Sequence, residues 1–266
     1  MQDSLAQLKC LKEACKRLGF SFFEIDENGN LIEVHTSKGK LFFANFATPF
    51  NSGAAEHICS DKEFTFTLLH KVMKMPGTVG YFDPSFREGY DRFKKFDDVE
   101  EIITDIEQRF SYPLVVKKNS GMRGINVFLC KNREEAKKAL EEIYREDSPD
   151  YDYVALAQEY VKPIAHIRAV FFQGKIVLSY KTEALWGIAT RAGDIKDAPD
   201  SEIEKFIEPI QRIFPLQFAG ADILKDGEGK LWLLELNSRP GFTQFIREHG
   251  QDSVIAMYEK ILKLSA

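Results

Sequence analysis

The chain has 266 residues, with 36 Lys plus Arg against 41 Asp plus Glu, for a formal net charge of −5. With 44% apolar and 29% charged residues it has a globular composition, long enough for one large domain or two to three small ones. Mild acidity removes the basic footprint of a dedicated nucleic-acid binder, and no apolar run approaches the roughly 18 residues of a membrane span. The first 30 residues lack a charged-then-apolar signal layout. Cys10, Cys15, Cys59 and Cys130 are scattered with no CxxC pair, so reduced thiols and a cytoplasmic location are expected. Of the 22 Phe, 13 fall in residues 1–100, a bias that any account of the front of the chain has to explain.

Leu5, Leu8, Leu11, Cys15 and Leu18 recur at helical spacing, and Gly19 suits the C-terminal cap. Strands are predicted over 20–25, 31–34 and 41–46, separated by turns at Asn28-Gly29 and Lys38-Gly39. Pro49, Asn51, Ser52 and Gly53 mark a loop. Ser60 and Glu63 fit a capping box, followed by a buried stripe of Phe64, Leu68, Leu69 and Val72. Residues 77–96 read as irregular, and 97–110 as a helix. A strand over 113–117 runs into a polar loop, Lys118–Gly124, and a strand over 125–130. Asn132 caps a charged helix to about residue 146. Strands follow at 154–160, 167–172 and 175–181, then a long loop over 184–199 and a helix from Asp200 to Phe214. The stretches 218–224 and 230–236 form a hairpin around 226–229. A last helix is capped by Asp252 or Ser253. Strands and helices mix throughout, which gives an α+β class with largely antiparallel sheets.

The hairpin carries the strongest chemistry. Asp222 and Glu235 stand inside otherwise apolar strands, where a lone acid is costly to bury. A two-residue loop at Glu228-Gly229 places them directly opposite one another, and facing carboxylates repel unless a cation or proton lies between them. Asn237 lies on the same face, and three oxygen donors there fit Mg²⁺. An exposed face wearing two acids is the plainer alternative. Lys117 ends an apolar strand before the loop Ser120–Gly124, whose small residues let backbone amides approach phosphate. An ordinary turn also fits that loop. Lys118 is a rival for the phosphate role, and period-two alternation lets only one of the two lysines point inward.

Taken in order, these pieces resemble the ATP-grasp superfamily. They are Ser60-Asp61-Lys62, Pro113–Lys117 with its glycine loop, Gln158-Glu159-Tyr160-Val161, Ile167–Phe171, Gly220–Leu224 and Leu234–Gly241. The resemblance covers about residues 60–266, and looks closest to the branch of ribosomal-protein glutamate ligases, cyanophycin-synthetase-like and glutathione-synthetase-like enzymes. It implies two α+β subdomains gripping ATP between antiparallel sheets, over 60–155 and 156–266, behind a short, reduced α/β unit over 1–59. It implies an ATP-dependent, ADP-forming carboxylate–amine ligase working through an acyl phosphate. Lys62 and Lys117 would contact phosphates, Ser120, Gly121 and Gly124 would cover them, and Gln158, Glu159, Tyr160 and Val161 would form the adenine hinge. Asp222, Glu235 and Asn237 would hold Mg²⁺, with Mn²⁺ as a substitute. Arg168, Arg239 and Arg191 are candidates to grip the acceptor carboxylate or the phosphate. Where relatives place an acid near the ribose this chain has His166, for which a plain exposed histidine is the alternative. The implied partners are ATP and an amino acid or peptide, with a homodimer as the default assembly. A non-catalytic ATP-binding protein and a phosphotransferase on the same scaffold are the competing readings. The early Phe residues are expected to pack a thin meander onto the core, with an aromatic acceptor pocket as the other reading.

Overall fold

The computed structural model describes residues 5–87, 89–121, 124–185, 188–195 and 201–266, with backbone alone over 182–195. Helix α1 (Ala6–Leu18) buries Leu8, Leu11 and Cys15, and Gly19 closes it at φ 72° with its N–H on Cys15 and Lys16 carbonyls. A small antiparallel sheet follows, β1 (Phe22–Glu24), β2 (Leu31–Thr36) and β3 (Gly39–Ala44) in that order.

Beyond β3 the structure departs from the sequence reading. A helix absent from that reading, α2 (Gly53–Ser60), starts at Ser52, whose hydroxyl accepts from Ala55 N. Helix α3 (Lys62–Leu69) is capped by Asp61 rather than Ser60: Asp61 Oδ1 accepts from Phe64 N at 2.8 Å. Ser60 ends α2, and its hydroxyl donates to the His57 carbonyl. The buried face of α3 is rotated by one residue from the predicted stripe. Thr65, Leu69 and Met73 are buried, while Phe64 is 47% and Val72 45% exposed.

A four-stranded antiparallel sheet comprises β4 (Thr78–Phe82), β5 (Leu114–Lys118), β6 (Val127–Cys130) and β7 (Val154–Glu159), in the order β4-β7-β5-β6. Helices α4 (Val99–Arg109) and α5 (Arg133–Ile143) cover one face, around Ile102, Ile106, Leu114, Val116, Leu140 and Ala157. Asn132 caps α5 as expected, accepting from Glu135 N at 3.0 Å. Strand β4 lies in the stretch read as irregular. Its Gly80 is a packing residue, since a Cβ there would fall 2.3 Å from Glu63 Oε1.

The larger sheet has five strands: β8 (Pro163–Phe172), β9 (Lys175–Leu185), β10 (Ile188–Ile195), β11 (Phe218–Asp226) and β12 (Leu231–Asn237), in the order β10-β9-β8-β11-β12. Within the predicted loop over 184–199, the described residues 184–185 and 188–195 are strand. β10 is an edge strand with register shifts after Ala189 and Ala192, and such irregularities erase the period-two pattern that sequence reading relies on. The expected cap Asp200 lies outside the described residues. The last helices are α6 (Ser201–Ile213), α7 (Thr243–His249) and α8 (Asp252–Ser265). α8 begins after Gln251 without a side-chain cap, so neither Asp252 nor Ser253 serves as one.

Alternation splits the large sheet between two cores. Ile167, Ala169, Phe171, Ala219, Ala221, Ile223 and Leu233 pack with residues of α2, α3 and α6. Val170, Phe172 and Phe218 point the other way and share a core with Leu8, Leu11, Ile32, Val34 and Phe43 of the N-terminal unit and with α8. Early aromatics do serve this packing: Phe50 stands edge-on to Phe43, Phe172 and Phe218. On that same sheet face, one step along the strands, come His166, Arg168 and Asp222. No described helix is long and apolar enough to cross a membrane.

Candidate functional site

A cleft of about 830 Å³ lies between the two larger sheets. The four-stranded sheet brings Val115, Lys117, Val127 and Gln158 to it, on the face away from α4 and α5. Lys117 is 3% exposed. Its Nζ donates to Gln158 Oε1 at 2.9 Å, and Gln158 Nε2 donates to Thr78 Oγ1 at 2.7 Å. Burial pushes Lys117 down to about 8, with Glu235 working against the shift. A lysine whose nearest partner is a neutral amide is short of negative charge.

Lys118 lines the cleft too, which corrects the expectation that only one of the pair could. It stands at the strand end, where its flexible stem swings to Asp150 Oδ1 at 2.9 Å. Gly121, at φ 105°, is packed against it: a Cβ would lie 2.4 Å from Lys118 Cε. Lys62 Nζ donates to the carbonyls of Asn119 and Gly121 and lies 3.9 Å from Glu235 Oε2. Ser120 is held by Asp152, whose Oδ2 accepts from both its N–H and its hydroxyl at 2.7 Å. Gly121 and Gly124 both have positive φ and line the cleft with Ser120. Glu159, Tyr160 and Val161 line its end at the close of β7. There Glu159 N donates to the Gly77 carbonyl, and Gly77 N donates to Glu159 Oε2.

The five-stranded sheet brings the carboxylates. Asp222 pairs directly with Glu235, and Gly220 with Asn237. The predicted facing pair is present, by a different route. The hairpin turns through the three residues 227–229, one more than assumed, and a bulge after Asp222 restores the register. Asp222 is buried, and Arg168 Nε and Nη2 each donate to one of its oxygens, the latter at 2.8 Å. Burial raises the Asp222 pKa; Arg168 opposes this and Glu235 adds to it. Glu235 keeps 30% of its side chain open. Burial works against its charge, but Lys62, Lys117 and Arg168 outweigh that and hold it below the ordinary glutamate range.

Among the described residues no three His, Cys, Asp or Glu side chains cluster as a metal site. The available donors are two facing carboxylates and the Asn237 amide oxygen, which accepts from Arg239 N at 2.9 Å. An all-oxygen set this small fits a hard divalent cation that keeps water and phosphate oxygens as its other ligands.

Arg239 lines the cleft with its guanidinium paired to Glu56 on α2. The side chain of Arg191 lies outside the description. His166 is buried rather than exposed, at 2%, with no hydrogen-bond partner on either ring nitrogen among the described residues. Burial, with Arg168 second, lowers its pKa to about 4, so the ring is neutral at pH 7. Its Nε2 lies 3.8 Å from Asp222 Oδ1.

Sequence reasoning missed the far end of the cleft. Residues 44–47 of the N-terminal unit and Thr243, Gln244, Arg247 and Glu248 of α7 wall it. Phe46 packs on Gly241, where a Cβ would meet Phe46 Cε1 at 3.4 Å. No local pattern announces a contact between segments almost 200 residues apart.

Residues 92–261, well over half the chain, match the RimK-like ATP-grasp domain. A protein named "Probable alpha-L-glutamate ligase" from Aeromonas salmonicida is 31% identical over 162 residues, which cover 58% of this chain and 51% of that protein. Beta-citrylglutamate synthase B of Danio rerio is 28% identical over 216 residues, 77% of this chain and 48% of its own. The chain thus spans about half the length of the curated relatives it matches. Among solved structures, the D-alanine-D-alanine ligase of Coxiella burnetii superposes with a TM-score of 0.51 at 17% identity, covering 78% of this chain and 59% of that one. The Bacillus anthracis enzyme gives 0.51 at 17%, with 79% and 70% covered. At such identities these two carry the fold alone: paired antiparallel sheets with helices outside. The cleft between those sheets and the matched stretch agree, and the chain belongs to the RimK-like ATP-grasp family.

Proposed function

We propose that the protein is an ATP- and Mg²⁺-dependent carboxylate–amine ligase that forms an amide or peptide bond and releases ADP and phosphate. The observation that carries this is the charge arrangement across the cleft. Facing carboxylates, Asp222 and Glu235, stand on one sheet, and Lys117, buried against a neutral amide, stands on the other. Lys117 has no anionic hydrogen-bond partner, and a ligand that brings phosphate and a divalent cation together would balance it while meeting the facing carboxylates.

In this reading adenine lies at the end of β7, against the backbone of Glu159 and Val161, with Gln158 and Tyr160 beside it and His166 towards the ribose. Lys62, Lys117 and Lys118 meet the phosphates, and Ser120, Gly121 and Gly124 cover them. Asp222, Glu235 and Asn237 hold Mg²⁺ or Mn²⁺, which when bound neutralises phosphate charge. Phosphoryl transfer asks for positioning and charge neutralisation more than for covalent groups, and the site offers lysines, carboxylates and backbone amides. An oxygen of the acceptor carboxylate attacks the γ-phosphorus, the bond to the β-phosphate oxygen breaks, and ADP leaves. The amine nitrogen then attacks the acyl carbon, phosphate departs with the former carboxylate oxygen, and the nitrogen loses a proton. Arg168, held in place by both Asp222 oxygens, and Arg239 stand at the transferring group.

The substrate is an amino acid or peptide, and the relatives' names put L-glutamate first among amines to offer. We assign ATP handling to residues 60–155 and 156–266, with 1–59 as a supporting unit, and place the protein in the cytoplasm; a homodimer is its simplest assembly. Purified protein given Mg-ATP with panels of amino acids and short peptides should release ADP and phosphate only when both substrates are present. ATP binding without release would favour the non-catalytic reading, and ADP with a stable phosphorylated product would favour a phosphotransferase.

A further inference from the structure

Six described cationic side chains line the cleft, and five are committed. Lys117 is bonded to Gln158, Lys118 to Asp150, Arg168 to Asp222 and Arg239 to Glu56, while Lys62 lies between loop carbonyls and Glu235. The sixth, Arg247, is exposed and has no hydrogen bond, ion pair or ring contact among the described residues. The helix that carries it is anchored. Thr243, Gln244, Arg247 and Glu248 recur at the one-face spacing of a helix, and all four line the cleft. Phe245 of α7 is buried, also lines the cleft, and has its ring 4.6 Å from Tyr180.

A second uncommitted group stands at the same end. Asn45 has φ 53°, a left-handed backbone that costs a non-glycine residue energy and persists where surroundings enforce it. Here they do. Asn45 N donates to the Asn30 carbonyl at 2.8 Å, and its own carbonyl accepts from Gln7 Nε2 at 3.2 Å. Asn45 lines the cleft, and its side chain has no partner among the described residues.

We propose that this end is a carboxylate subsite: Arg247 grips a spectator carboxylate of the amino acid or peptide substrate, and Asn45 supplies a second hydrogen-bonding contact. The inference deepens the ligase reading and rests on it for the direction of the cleft, hinge at one end and substrates at the other. The chain runs straight from the oxygen donor Asn237 through Ser238–Gly241 into α7, so the subsite adjoins the place where the γ-phosphate would be. Arginine suits the task because it stays charged at any working pH and meets a carboxylate with two parallel N–H groups. The short N-terminal unit then acquires a role, since its residues 44–47 form one wall.

The test measures binding on the full chain, with and without Mg²⁺ and a non-hydrolysable ATP analogue. The probes are L-amino acids and dipeptides, beginning with L-glutamate, and the carboxamide counterpart of each one that binds. Arg247→Ala should weaken the carboxylate probe about tenfold or more, the scale of a charged hydrogen bond, and leave the nucleotide within about twofold. The carboxamide should bind wild type as weakly as the acid binds Arg247→Ala, with no further loss in that variant. Arg247→Lys should recover part of the affinity. Asn45→Gly, which keeps the left-handed backbone, should stay folded and bind the probe several-fold more weakly. The subsite is refuted if no probe binds wild type, if the carboxamide binds as well as the acid, or if Arg247→Ala weakens the nucleotide as much as the probe. Failure of the nucleotide itself to bind would count against the ligase reading instead, because the probes are also titrated without it.

Discussion

The two sheets facing the cleft handle buried charge in opposite ways. On the four-stranded sheet Lys117 is sealed against a neutral glutamine, and its pKa falls. On the five-stranded sheet Asp222 is sealed against Arg168, which meets both of its oxygens. The first sheet keeps an unbalanced cation for a ligand to balance; the second is largely balanced within the protein. Removing Arg168 should therefore disturb folding, and removing Lys117 should disturb binding.

The largest expected effect is on stability. Arg168→Ala leaves Asp222 buried without its counter-ion, a loss on the order of 3–5 kcal/mol, readable as a drop in the denaturation midpoint. Lys117→Met should unfold no more readily than wild type, because it deletes a buried charge that has no anionic hydrogen-bond partner. Equal destabilisation by the two variants would remove the contrast. Next comes Glu235→Ala, which should stay folded and lose metal-dependent turnover by about 10²–10³-fold, the scale of one electrostatic contact to the transition state. Wild-type turnover in that variant would refute the metal assignment.

The pH dependence sharpens the comparison further. Burial holds the Lys117 pKa down to about 8 in the folded chain, against an ordinary lysine value of 10.5, so between those values the unfolded chain holds a proton that the folded one lacks. Stability from this residue rises with pH across that window. Binding moves the other way, since the neutral amine no longer attracts phosphate. The affinity gap between wild type and Lys117→Met for Mg²⁺ and the ATP analogue should narrow as pH climbs past about 8. A gap unchanged up to pH of about 10 would contradict it. The smallest effect concerns the helix that carries Lys62: Asp61→Ala removes the cap seen at Phe64 N and should cost about 1 kcal/mol.

Much of the candidate site was legible because its motifs are local. The facing carboxylates follow from hairpin arithmetic, and they face each other even though the turn and the bulge each differ from the simple case, since the two shifts cancel. Ser120, Gly121, Gly124 and residues 158–161, singled out by motif order through the family resemblance, all line the cleft. What escaped has physical causes. The face of α3 turned by one residue because Asp61, not Ser60, captures Phe64 N. Strand β10 escaped because its register shifts break alternation. Lys118 reaches the cleft because a long side chain at a strand end is not bound by the pleat. Asn45 and Arg247 were invisible because their cleft wall is assembled by tertiary packing, through the core that the N-terminal unit shares with β8 and β11.

The most direct test of the central claim follows one oxygen atom. The acceptor carboxylate is labelled with ¹⁸O and incubated with the protein, Mg-ATP and the amine, and the products are read by ³¹P NMR and mass spectrometry. The account predicts ADP, amide and phosphate carrying one ¹⁸O from the carboxylate. Unlabelled phosphate, or AMP with pyrophosphate, would contradict it.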